Sequence, residues 1–140
     1  MTGATGPIGF PSVPLVFPYD FDRRFAPIWW PLGAREGRDG VTVSADTFEA
    51  TYGRFVLRTP ISNIASAENT GPYNPLKSVG LRMSMADSGL TMGTTGASGV
   101  CVTFHEKVGR VIGPWSHRGL TVTVADPDGL VRALGFGAGS

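Results

Sequence analysis

The chain has 140 residues, 41% hydrophobic and 16% charged, with a formal net charge of +1. That length holds one domain with a core of its own, and the balance belongs to a packed globule rather than a disordered tail. A charge so close to zero supplies no field that would steer nucleic acid or an acidic membrane to it. Ten of the twelve basic residues are Arg, scattered singly except for Arg23-Arg24. The lone cysteine, Cys101, cannot form an internal disulfide, and no apolar run approaches the ~20 residues of a membrane span. The expected setting is cytoplasmic, with no nucleic-acid partner, no membrane span and no cofactor.

Residues 1–20 hold four prolines and no basic leader, so they read as neither signal peptide nor helix. They are expected to form an extended arm that lays Val16 and Phe17 on a single domain spanning 21–135. The stretch that follows, "RRFAPIWWPLGAR", packs two tryptophans between arginines. Pro27 and Pro31 break any long amphipathic helix, so a membrane foot is disfavoured. Instead Phe25, Ile28 and one of Trp29 or Trp30 should cover an open end of the core. The other tryptophan is then a contact residue.

From Val41 onward the dominant period is two, the signature of half-buried strands. "GVTVSA" alternates at Val41 and Val43, and "TFEATYG" sets Phe48, Ala50 and Tyr52 on one face. A turn at Gly53-Arg54 leads into "RFVLRTP". Residues 68–80 form a long connection shaped by Gly71, Pro72 and Pro75, from which Tyr73, Leu76 and Lys77 project. "VGLRMSMA" then places Val79, Leu81, Met83 and Met85 on one side and Arg82 on the other. Strands at "LTMGT", "VCVTFH" and "LTVTVA" follow. Seven strands are therefore predicted, at 41–45, 47–52, 54–59, 79–86, 89–93, 99–105 and 119–125.

The period changes at Asp126-Pro127-Asp128, an N-cap donor followed by proline at the first helical position. Leu130, Val131 and Leu134 share one face of the short helix, and Gly135 stops it. The closing "GFGAGS" has the look of a phosphate loop but follows a helix rather than a strand, so 136–140 reads as a flexible tail.

Seven antiparallel strands that curl into a barrel or orthogonal sandwich, capped by a C-terminal helix, outline the pleckstrin-homology superfold. The run from "GVTVSADTFEATYGRFVLRTPISNIASAENT" through "GVCVTFH" to "LTVTVADPDGLVRAL" resembles bacterial PH-like domains. The matching features are the strand ending in Tyr-Gly, the Ile61-x-x-Ile64 step and the last strand running into Asp-Pro and a helix. The resemblance covers roughly residues 41–134. Lipid-binding members of that superfold cradle phosphates with basic residues on the first two strands. Here the turn is Ser44-Ala45-Asp46 and no Lys or Arg falls between Val41 and Gly53, so phosphoinositide binding is not expected.

Catalytic motifs are missing: the sequence has no Gly-x-Ser-x-Gly elbow, Cys-x-x-Cys pair or P-loop. Cys101 and His105 sit about 13 Å apart along one strand, too far for a nucleophile–base pair. His105, Glu106 and His117 form a weak metal-site candidate, provided the sixth and seventh strands pair. The leading expectation is a non-enzymatic PH-like module binding a protein or peptide through Trp29, Trp30, Tyr73, Lys77, Arg82 and Trp115. The alternatives are a carrier holding a small apolar or amphipathic ligand against Met83, Met85 and Phe104, and a metal-dependent enzyme using His105 and His117.

Overall fold

The computed structural model describes residues 14–70, 79–83, 88–95 and 98–136. Tyr73, Lys77 and Met85 lie outside them. The described residues are mainly β, with two sheets and a short C-terminal helix. Sheet one is an antiparallel meander of β1 (Leu15–Pro18), β2 (Gly40–Val43), β3 (Thr47–Tyr52) and β4 (Phe55–Pro60). Sheet two contains β5 (Ile64–Thr70), β6 (Gly80–Met83), β7 (Gly89–Gly93), β8 (Gly99–Gly109) and β9 (Ser116–Val122), in the order β5-β8-β9-β7-β6.

The architecture departs from the sequence expectation in three ways. Nine strands are seen among the described residues rather than seven, neither sheet closes into a barrel, and β7 runs parallel to β9. One additional strand is β1, whose residues the prolines suggested were an arm. It pairs along β2 from Leu15↔Val43 to Pro18↔Gly40, and proline is tolerated there because β1 is an edge. The other is β5. Its buried residues, Ile64 and Ala67, are three apart, and a bulge falls between Ile64 and Ser66. A bulge inserts an extra residue and destroys the alternation that marks a strand.

The sheets meet at two seams. At one, Tyr19 bridges Val124, flanked by Asp20 N–H to Thr123 O and Ala125 N–H to Pro18 O, both 2.9 Å. At the other, β4 turns through a single 3-10 turn (Ile61–Asn63) into β5. Between the sheets lies one core, to which β3 and β4 give Phe48, Tyr52 and Leu57 and sheet two gives Leu90, Met92, Val102 and Leu120. Each such side chain contributes about 1.5–3 kcal/mol by leaving water. Two tyrosine hydroxyls stitch the layers: Tyr52 donates to Gly93 O at 2.9 Å, and Tyr19 donates to the Met92 sulfur at 3.6 Å.

The tryptophan segment folds into a short 3-10 turn (Arg23–Phe25) running into α1 (Ala26–Trp29). Asp22 caps the turn by accepting from Arg24 N–H. The C-terminal helix α2 (Pro127–Ala133) starts where Asp126 accepts from Gly129 N–H, and it buries Leu130 and Val131, with Leu134 at its cap.

Candidate functional site

The sequence candidates that lie among the described residues do not converge. Trp29 is 4% exposed, stacks edge-on against Phe21 at 4.9 Å and donates its indole N–H to Asp22 O at 3.1 Å. It is a core residue rather than a contact residue. Trp30, by contrast, is 55% exposed and carries the Arg35 guanidinium over its ring at 3.5 Å. Arg35 is itself fixed by donating to the carbonyls of Trp30 and Ala34, each at 2.8 Å. Arg82 donates its Nε–H to Val79 O at 3.1 Å. Trp115 is exposed in the loop between β8 and β9, its backbone N–H donated to Ile112 O.

The histidine pair is separated by the sheet. His117 pairs with Val108 across β8 and β9 and is fully buried, whereas His105 and Glu106 are exposed. Among the described residues no group of three or more His, Cys, Asp or Glu could hold a metal ion. The weak metal-site candidate of His105, Glu106 and His117 is therefore not assembled, because His117 is buried while the other two are exposed. Burial holds the His117 imidazole below its ordinary range, partly offset by its contact with the Ser88 carbonyl. Among the carrier residues, Phe104 packs into the core cluster and offers no surface to a ligand, while Met83 is half-buried at the end of β6.

The structure assembles a different site. Strand β5 is the edge of sheet two, paired with β8 on one side only. Helix α2 packs beside it, and between them runs a groove of about 450 Å³ lined by Ala67, Glu68, Asn69, Asp128, Val131, Arg132 and Phe136. Its far wall follows from the way the helix stops. Gly135 takes φ +89°, its N–H donated to Arg132 O at 2.9 Å, and the Phe136 N–H reaches Val131 O at 3.0 Å. This is a Schellman ending, which commonly brings the residue after the glycine against the last helical turn. Phe136 and Val131 accordingly line the groove together.

Its near end is tied by Asn69, whose amide donates to Asp128 Oδ1 at 2.8 Å. The same Asp128 lies in the first turn of α2, where a carboxylate is favoured by the helix dipole. The groove is thus an apolar slot at Ala67, Val131 and Phe136, flanked by the charges of Glu68, Asp128 and Arg132. Along residues 64–69 the outer edge of β5 has no second strand beside it among the described residues, and it offers backbone donors and acceptors.

None of the sequence candidates among the described residues lines this groove, because β5 was not legible as a strand. The signal that was available is the Gly135-Phe136 pair, where a large apolar residue directly follows a helix stop. No helix among the described residues is long and apolar enough to cross a membrane. No family model, curated protein or solved structure matches the chain.

Proposed function

We propose that this chain is a non-enzymatic binding module, of the PH-like kind that its sequence resembles, and that it takes an extended peptide from a protein partner. The observation that carries the reading is the edge of β5 over residues 64–69, which no second strand covers among the described residues, beside the α2 groove. A peptide laid along that edge gains main-chain hydrogen bonds from the strand and lodges alternate side chains in the slot. The edge is paired with β8 and tied to α2 through Asn69, so little ordering remains to be done when a ligand arrives.

Two stacked sheets with a helix buried at Leu130, Val131 and Leu134 support the PH-like part of the reading. The parallel β7–β9 pair departs from an all-antiparallel barrel. Function therefore rests on the groove rather than on the fold.

The test selects peptides from a random library on the immobilised chain and titrates them into isotope-labelled protein. Binding should shift the amides of residues 67–69 and 128–136 and slow hydrogen exchange along β5. Selected peptides that perturb another face, or that leave β5 exchange unchanged, overturn the assignment.

A further inference from the structure

A second groove, distinct from the one beside α2, lies where the two sheets turn into each other. Strand β8 continues beyond the start of β5: Ile64 pairs with Phe104, while β8 runs on to Gly109. This overhang and the end of β4 form the walls of an open groove of about 580 Å³, with the Ile61–Asn63 turn between them. Arg58 stands on the β4 wall, and His105 and Lys107 stand on the β8 wall, with Arg110 just past its end.

The charge here is unbalanced in a chain that is nearly neutral. The lining contains three permanent cations and an imidazole against one carboxylate, Glu106. Arg58 faces Glu49 only at 3.9 Å, with its side chain 70% exposed. Among the described residues, Lys107 and Arg110 make no ion pair within 4.0 Å. Two exposed cations without an ion pair among the described residues, beside a loosely paired Arg58, favour an anionic occupant and disfavour a cationic one.

The floor is preorganised. Asn63 donates to Glu106 O at 2.9 Å and accepts from Glu106 N–H at 2.9 Å, so its side-chain amide acts as a rung of ladder where β5 no longer pairs. Its amide also donates to Thr59 Oγ1 at 3.0 Å, which fixes β4 to the same point. Arg110 is held at φ +65°, a left-handed conformation that a non-glycine residue adopts only when its surroundings require it. That backbone sets where the Arg110 side chain leaves the end of β8.

We infer that this corner binds an acidic stretch of polypeptide, with side-chain carboxylates distributed between Arg58 on one wall and Lys107 on the other, with Arg110 at its end. The cations line two walls of an open trough rather than converging on one point. An extended chain with several carboxylates matches that distribution better than a single compact phosphate does. The inference stands on the groove itself and holds whether or not a peptide also adds to β5.

The probe is a fluorescein-labelled hexaglutamate peptide, followed by anisotropy in low salt, with hexalysine as control. Hexaglutamate should bind, hexalysine should not, and affinity should fall as salt rises. The double variant Lys107→Glu with Arg110→Gly should weaken binding at least tenfold. Both positions are exposed, and glycine suits the backbone at 110, so an unchanged melting temperature is expected of the variant. Binding that survives the double variant overturns the inference. So does a chain that ignores hexaglutamate yet binds inorganic phosphate or phosphatidylserine vesicles, because the site would then read phosphate rather than carboxylate. Amide shifts from hexaglutamate should fall at residues 58–63 and 105–110, so this experiment and the test of β5 fail independently.

Discussion

His117 Nδ1 lies 3.3 Å from the Ser88 carbonyl oxygen, while His117 Nε2 is buried with no hydrogen-bond partner among the described residues. A carbonyl can only accept, so Nδ1 carries the proton and Nε2 is a bare acceptor in the core. Protonating Nε2 would bury a charge with nothing to receive its hydrogen, and burial accordingly lowers the folded pKa below 6.5. The unfolded chain then binds more protons than the folded one as pH drops below about 6.5. This group's penalty is absent above that pH, grows as pH falls toward the folded pKa, and levels off below it. Urea denaturation at pH 7.5, 6.5, 5.5 and 4.5 should show the wild type losing stability faster than His117→Leu. At pH 7.5 the variant should lie within about 1 kcal/mol of wild type, since it removes an unsatisfied acceptor but also the Ser88 bond. Parallel pH profiles for the two proteins would contradict the assignment.

Adjacent tryptophans should respond in opposite ways to truncation. Trp29→Ala empties the space against Phe21 and strands the Asp22 carbonyl, and should cost about 3–5 kcal/mol. Trp30→Ala removes a half-exposed ring and one cation–π contact with Arg35, and should cost about 1 kcal/mol or less. Chemical denaturation of the two variants side by side gives the comparison. Near-equal losses would mean that Trp30 is held by the core as well.

The sequence made these two residues readable as a pair but not individually. An extended chain points neighbours to opposite sides, which predicts one buried and one exposed indole. Which is which depends on the turn at Arg23–Phe25, set by an Asp22 cap that carries no apolar period. The alternating strands were legible for the same reason that they are stable. Phe48, Ala50 and Tyr52 on β3 and Val100, Val102 and Phe104 on β8 all point into the core. Ile64 and Ala67 hid β5 because a bulge shifts the register between them. With β5 unseen, the groove it forms with α2 was unseen too, although Leu130, Val131 and Leu134 correctly marked the helix. How His105 and His117 face one another was not legible either. Strand pairing brings β8 and β9 together, but facing is decided by a register shift between Thr103 and Val108 that spacing does not reveal.

The corner between the sheets depends on Asn63. Asn63→Ala deletes both bonds to Glu106 and the bond to Thr59, leaving three backbone or hydroxyl groups to water. Because that corner is partly open, water replaces some of what is lost, and the cost should be about 1–2 kcal/mol. Hydrogen exchange at the Glu106 amide should accelerate in the variant well beyond the change at Val102. An unaltered Glu106 amide would show that the side chain does not hold the strand.

Gly53 sits in the β3–β4 turn at φ +65°, and a Cβ there would lie 2.5 Å from Leu32 O and 2.8 Å from the Gly33 carbonyl carbon. Both are backbone atoms of the segment that follows Trp29, so neither can swing aside. Gly53→Ala should therefore displace the segment from the hairpin as well as strain the turn, at a cost of about 2–3 kcal/mol. Tryptophan fluorescence should shift to the red as Trp29 gains water. A stable variant with unshifted emission would mean that the 32–33 backbone yields easily.

Gly135 isolates the conformational part of that cost. It also has positive φ, +89°, but a Cβ would meet nothing within 4 Å. Gly135→Ala carries only the left-handed penalty, offset in part by a less flexible unfolded chain, for a net loss of about 1 kcal/mol. Its larger consequence should be local. If the backbone relaxes, the Phe136 N–H leaves Val131 O and the aromatic ring no longer lines the wall facing β5. Peptides selected by the β5 groove should then bind at least fivefold more weakly to Gly135→Ala, while hexaglutamate binding at the other corner stays unchanged. A loss at both sites would point to general unfolding. Retention at both would show that Phe136 is not part of the peptide slot.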